Sequence, residues 1–246
     1  MLKLLKYELR KTMMAKLLLL GVTAIAEAAF LIGFWTENED TLATSAALLF
    51  LIAVSGITLM GILSVITLHR DMNTRQGYML FMTPNSCYRI LGAKVIECAL
   101  SVMIAGAFFF ALGLLDFSML LGKDSNERIW DMFTQMMKTI NERIVLDAPT
   151  VAAVGFSFLA SWLCTITTAY LADVVASSLL YGKKANWIVT FILFIALDWG
   201  ISWLIRQIPD TMTIVQQSLW QGAAALGLAA VMYVVTARLM DRYLSV

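Results

Sequence analysis

Uncharged apolar stretches recur along this chain of 246 residues, several of them some 18 residues or longer, enough to cross a ~30 Å hydrocarbon core as a helix. Backbone groups in lipid must be satisfied within the spanning segment, which leaves helices or closed barrels. The runs are too long and too little alternating for barrel strands. The fold class is therefore all-α, with six transmembrane helices at 17–35, 42–68, 95–115, 151–171, 187–205 and 219–235. Composition agrees, with 60% hydrophobic and 14% charged residues and a mean hydropathy of +0.80, where soluble domains hold about 45–50% apolar and about 25% charged residues. Residues 1–246 read as a single transmembrane domain. The first run is longer than a signal-peptide core and is followed by charges rather than a small-residue cleavage site, so it is expected to be retained.

Lys and Arg set the orientation, since they concentrate in cytoplasmic flanks. Lys3, Lys6, Arg10, Lys11, Lys16, Arg70, Arg75, Arg89, Lys94, Lys183, Lys184, Arg238 and Arg242 fall on one side, thirteen of the 18 basic residues. Lys123, Arg128, Lys138, Arg143 and Arg206 fall on the other. Six crossings put both termini on the thirteen-residue side, which is expected to be the cytoplasm. A net charge of +1 gives no basic face for nucleic acid. The three cysteines form no CxxC pair or disulfide framework.

Three segments outside the spans carry pattern. Residues 1–12 place Leu2, Leu5 and Leu9 on one stripe and turn Lys3, Lys6 and Arg10 away, which fits an N-terminal interfacial helix lying among headgroups or a charged flank of the first span. Residues 69–94 mix charge with apolar residues and break at Pro84, giving a short helix, a turn and the lead into the third span. Residues 124–145 open on Asp124 with Glu127 three positions on and carry Ile129, Phe133, Met136, Ile140 and Ile144 at helical spacing. That external helix is expected to pack on the span ends or a second subunit, or to act as a lid.

The chain has no phosphate-binding G-x-x-x-x-G-K-[ST], no HExxH and no GxSxG, and its one histidine is His69. No catalytic residue, metal site or cofactor site is assigned, so the chain is not read as an enzyme. Inside the spans, Glu27 and Asp198 stand out, because an ionisable side chain at membrane depth is a functional hypothesis by default. At 1.5 Å per residue both fall roughly 15–17 Å from the cytoplasmic edge, in spans that run the same way. They are candidates for a translocation path, with Trp199 beside them, or for protonated groups satisfied in a helix seam. Glu97 and Asp173 lie near helix ends and are expected to reach the interface. Gly56, Gly61, Gly222 and Gly227 would allow helices to approach closely.

The N-terminal KLLKYELRK, the six spans, Gly77-Tyr78-Met79-Leu80-Phe81-Met82-Thr83-Pro84, then Ile90-Leu91-Gly92-Ala93-Lys94, Ser177-Ser178-Leu179 before Lys183-Lys184, and the ending Arg238-Leu239-Met240-Asp241-Arg242 together resemble the permease subunits of type-2 ATP-binding-cassette exporters. The resemblance covers essentially the whole chain through degenerate motifs. It implies a membrane dimer, with a second permease copy or a paralogue, bound to two separate ATPase subunits that hold the ATP and Mg. It also implies a coupling element after the second span, which falls here on Arg70, Asp71, Asn73, Thr74, Arg75, Gly77, Tyr78 and Tyr88. The short connection around Pro209 departs from the family's re-entrant hairpin. Among cargo classes of the family, amphipathic peptides, including bacterial toxins and antimicrobials, or drug-like molecules suit a small permease. A non-transporting scaffold or sensor, and an ion-coupled carrier using Glu27 and Asp198, are the competing classes.

Overall fold

The structure, a computed structural model, describes residues 2–73, 86–121, 148–179, 186–207 and 213–244. Six helices fill them: α1 (Leu2–Trp35), α2 (Glu39–Asn73), α3 (Cys87–Leu121), α4 (Ala148–Leu179), α5 (Asn186–Ile205) and α6 (Ile214–Leu244). No strand occurs among the described residues. Each helix is long and apolar enough to cross a membrane, and the protein is a multi-pass helical membrane protein. The expected spans all fall inside these helices. The external helix expected at 124–145 lies outside the described residues, as does most of the connection between α2 and α3.

Residues 1–12 are continuous with the first span, since α1 runs without interruption from Leu2 to Trp35. No Gly or Pro stands between Lys11 and Leu17 to break it, and Lys, Met and Ala there are good helix formers. At 34 residues α1 is about 51 Å long, well beyond the ~30 Å it needs to span.

The chain divides into two compact units. The first comprises Met1–Arg70 with Arg89–Phe109, the second Asp71–Tyr88 with Phe110–Val246.

In the first unit α1 and α2 form an antiparallel hairpin. Their turn closes when Asn38 N–H donates to the Gly33 carbonyl at 3.2 Å, with Glu37 left-handed at φ 54°. This is a helix-ending arrangement usually given to glycine. Asn38 then caps α2, its Oδ1 accepting from Thr41 N–H at 3.2 Å. A Cβ on Gly33 would stand 2.9 Å from Leu42 N, so glycine is what lets the hairpin close. Equal steps back along α1 and on along α2 bring Leu19 against Gly56, where a Cβ would meet the leucine methyls at 2.9 Å. The third helix of this unit runs parallel to α1, as the polar contacts below show.

In the second unit α4 and α6 pack along their lengths with α5 against α4. Ala160, Cys164, Ile201, Ala225 and Ala229 make its buried cluster, flanked by Ile205, Leu228 and Met232. A Cβ on Gly222 would meet the Phe156 ring at 2.6 Å and Ser157 Cα at 3.2 Å, so the small residues of α6 bring the two backbones together. No atom lies within 4 Å of the position a Cβ on Gly227 would take, so that glycine is not part of the seam. Thr213 caps α6, with the Gln217 N–H on its carbonyl at 2.8 Å.

Candidate functional site

Lipid offers little drive for one apolar helix to leave it for another, so helices in a membrane are specified by packing and by polar contacts. The first unit concentrates the polar contacts. Along α1, Glu8, Thr12 and Lys16 recur every four residues, and along α3, Lys94, Glu97 and Ser101 recur at three and four, so each trio shares one helix face. The two faces meet. Lys94 Nζ donates to Glu8 Oε1 at 3.0 Å, with the side chains 1% and 5% exposed. Glu97 Oε1 accepts from Thr12 Oγ1 at 2.8 Å, from Lys16 Nζ at 2.7 Å and from Ser101 Oγ at 3.0 Å. Lys16 also donates to Ser101 Oγ at 2.6 Å.

Higher numbers on α1 meet higher numbers on α3, so the helices run parallel and the contacts form a ladder of opposite charges. The ladder fixes register. Sliding α1 one turn toward the far end of α3 would carry Glu8 onto Glu97, and sliding it back would bring Lys16 toward Lys94; both slides oppose like charges.

The last rung marks a boundary. Beyond Lys16 no charge occurs on α1 before Glu27, and beyond Ser101 none occurs on α3 before Asp116. A cleft of about 260 Å³ opens there, lined by residues of α1, α2 and α3 that all belong to the first unit. Leu19, Leu20, Thr23, Met60, Ile104, Ala105, Phe108 and Phe109 form its walls, and Lys16 and Ser101 stand at one end. Leu20 and Ile104, at 54% and 60% exposure, leave its side open. The side chains at the polar end of this unit carry an excess of positive charge: Lys6, Arg10, Lys11, Lys16, Arg70, Arg89 and Lys94 against Glu8 and Glu97.

Glu97 and Asp173, expected at the interface, are buried instead, at 4% and 1% exposure. For Glu97 the reason is the convergence of three donors on one carboxylate oxygen. Glu27 is half-buried on α1, between the buried Ala26 and the exposed Ala28 and three residues before the buried Phe30. Asp198 is half-buried on α5, near enough to Cys164 of α4 to act on it electrostatically. Glu27 belongs to the first unit and Asp198 to the second. Trp199 is 73% exposed.

Of the expected coupling residues, Arg70 lies exposed and Asp71 buried in the last turns of α2, and Asn73 ends that helix. Tyr88, in the first turn of α3, accepts at its carbonyl from Tyr233 Oη of α6 at 2.6 Å, and the two rings meet edge to face at 6.4 Å. Thr74, Arg75, Gly77 and Tyr78 lie outside the described residues.

In the sequence Lys16 and Lys94 point to orientation, and Lys94 and Glu8 also fall in runs that carry the family resemblance, but none of the three marks a helix contact. The matching spacings of the two polar trios were the available signal.

No family model matches the chain, and no curated protein and no solved structure shows significant similarity to it.

Proposed function

We propose that this chain is the membrane permease subunit of an ATP-driven exporter, with both termini in the cytoplasm and energy supplied by a separate ATPase. The cargo class is amphipathic peptides or hydrophobic, drug-like molecules. One observation carries the reading. Helices α2 and α3 are each 35 residues long, about 52 Å against a ~30 Å core. The charged residues of α2's second half, His69, Arg70 and Asp71, and those of α3's first part, Arg89, Lys94 and Glu97, all lie toward the connection between the two helices. The surplus length carries the end of α2 and the start of α3 beyond one hydrocarbon thickness on the side rich in Lys and Arg, where a soluble motor can grip them. The continuous helices on either side suit a rigid-body tilt driven from that point. The absence of a phosphate-binding motif in the sequence assigns ATP to a partner.

Co-expression with an ATPase from a neighbouring reading frame tests this. The expected result is a stoichiometric complex, two copies of each, whose ATP hydrolysis depends on the permease and falls with Arg70→Ala. In vesicles, Glu27→Gln and Asp198→Asn should slow export of cationic cargo more than neutral cargo. A chain that retains no ATPase and moves solute on a proton gradient alone would be a secondary carrier, and the proposal fails.

A further inference from the structure

Asp71 and Tyr88, toward the two ends of the α2–α3 connection, belong to the second unit, although α2 before Asp71 and α3 from Arg89 to Phe109 belong to the first. Helix α6 engages the α3 end. Tyr233 Oη donates to the Tyr88 carbonyl at 2.6 Å, and the two rings meet edge to face. Two turns further along α6, Asp241 stands near enough to Cys87 to act on its thiol as a charge and as a hydrogen-bond acceptor. The first two residues of α3 are thus both held by α6.

The sequence of α6 shows why Tyr233 makes this contact. Ala225, Ala229 and Tyr233 follow one another at steps of four, so the stripe that enters the buried cluster with α4 runs on to the tyrosine. The alanines let two backbones come close. Tyr233, half-buried in the next turn, reaches a neighbour further off with a ring and a hydroxyl that needs a partner. Its partner is a backbone carbonyl, so the hydrogen bond grips the helix itself. Helix α6 therefore packs on α4 through small residues and holds the start of α3 through Tyr233.

We propose that Tyr233 is a positioning residue that ties the start of α3 to α6, so that a push on the α2–α3 connection reaches α6 and, through the seam at Gly222 and Phe156, α4. The transmission rests on the exporter reading, which supplies the push. The tie itself does not.

Hydrogen exchange on the full chain in lipid nanodiscs, without any ATPase, tests the tie. The amides of Leu91 and Gly92 bond to the Cys87 and Tyr88 carbonyls one turn back, so they report whether the first turn of α3 is held. Tyr233→Phe keeps the ring, loses the hydroxyl and should speed exchange there about fivefold, the worth of one hydrogen bond. Tyr233→Leu loses the ring contact as well and should go further. Amides 43–46, in the opening turns of α2, are the control and should not change. Reconstituted with its ATPase, the Tyr233→Phe chain should keep its ATP hydrolysis while the cargo moved per ATP falls severalfold. Exchange at Leu91 and Gly92 that neither variant alters, or that rises equally at 43–46, overturns the proposal. So does cargo per ATP that stays at the wild-type value, or hydrolysis that falls in step with transport. If no ATPase binds the wild-type chain, the exporter reading fails and takes the transmission with it, while the exchange result still decides the tie.

Discussion

The two units solve one problem in opposite ways. Each brings a pair of parallel helices together inside an apolar solvent, α1 with α3 in the first and α4 with α6 in the second. The first pair is joined by charge, through Glu8, Lys94, Lys16 and Glu97. The second is joined by shape, through Ser157, Ala160 and Cys164 facing Gly222, Ala225 and Ala229. A seam of small residues gains from dispersion over many atoms and tolerates loss of any one. A seam of charges gives a unique register but depends on every member, since a buried ion left without its counter-ion is expensive. The first seam should therefore be brittle and the second forgiving.

The largest effect is expected from Lys94→Ala. It leaves Glu8, 5% exposed, without the ammonium it was buried against, and breaking a buried pair from one side costs about 3–5 kcal/mol. The double variant Glu8→Leu/Lys94→Met replaces the rung by apolar side chains of similar volume and should recover most of that loss, because neither charge then has to be desolvated. Denaturant unfolding in detergent micelles measures both. A single variant that loses less than about 1 kcal/mol would show that the rung behaves as a solvated surface pair and would erase the contrast between the units.

A smaller effect is expected in the second unit from Gly222→Ala. The new methyl would stand 2.6 Å from the Phe156 ring and 3.2 Å from Ser157 Cα, so the ring must turn and the helices part slightly, an overpacking cost of about 1–3 kcal/mol. Gly227→Ala is the internal control. It meets nothing within 4 Å and should gain up to about 1 kcal/mol, because alanine is the better helix former. If the two substitutions behave alike, the α4–α6 seam is not set by close approach at Gly222.

How much of this could be read from the sequence follows the same division. The spans were legible because lipid selects long apolar runs whatever their neighbours, and Gly222 was legible because small residues in such runs mark close approach. The ionic seam was not. Thr12 and Lys16 meet Glu97 across sequence separations of 85 and 81, and a charge near a helix end reads by default as solvated. The packing face of the N-terminal segment was hidden for the same reason, since Leu5 and Leu9 are half-buried on either side of the buried Glu8 and that face is polar at its centre. The turn at Glu37 was hidden too, since a left-handed residue between helices is ordinarily announced by Gly or Asn.

The finest distinction between the units lies in their buried threonines. Thr12 and Thr168 are both buried on helices, at 7% and 0% exposure. Thr12 donates across the seam to Glu97 at 2.8 Å, with its own-helix contacts longer at 3.3 and 3.4 Å. Thr168 donates to the Cys164 carbonyl of its own helix at 2.8 Å. Replacing Thr12 by Val keeps the shape and removes one of three donors to a carboxylate, a loss of about 0.6–1.7 kcal/mol on the scale of interhelical hydrogen bonds in membranes. Thr168→Val removes a bond to a carbonyl that already serves the helix, and should change stability by no more than about 0.5 kcal/mol. Unfolding of the two variants side by side reads the difference. Equal losses would mean that the Thr12 hydroxyl serves its own turn and that Lys16 and Ser101 alone hold Glu97. The ladder would then rest on its ion pairs and on the Ser101 hydroxyl, and removing Ser101 by Ser101→Ala should cost more than removing Thr12.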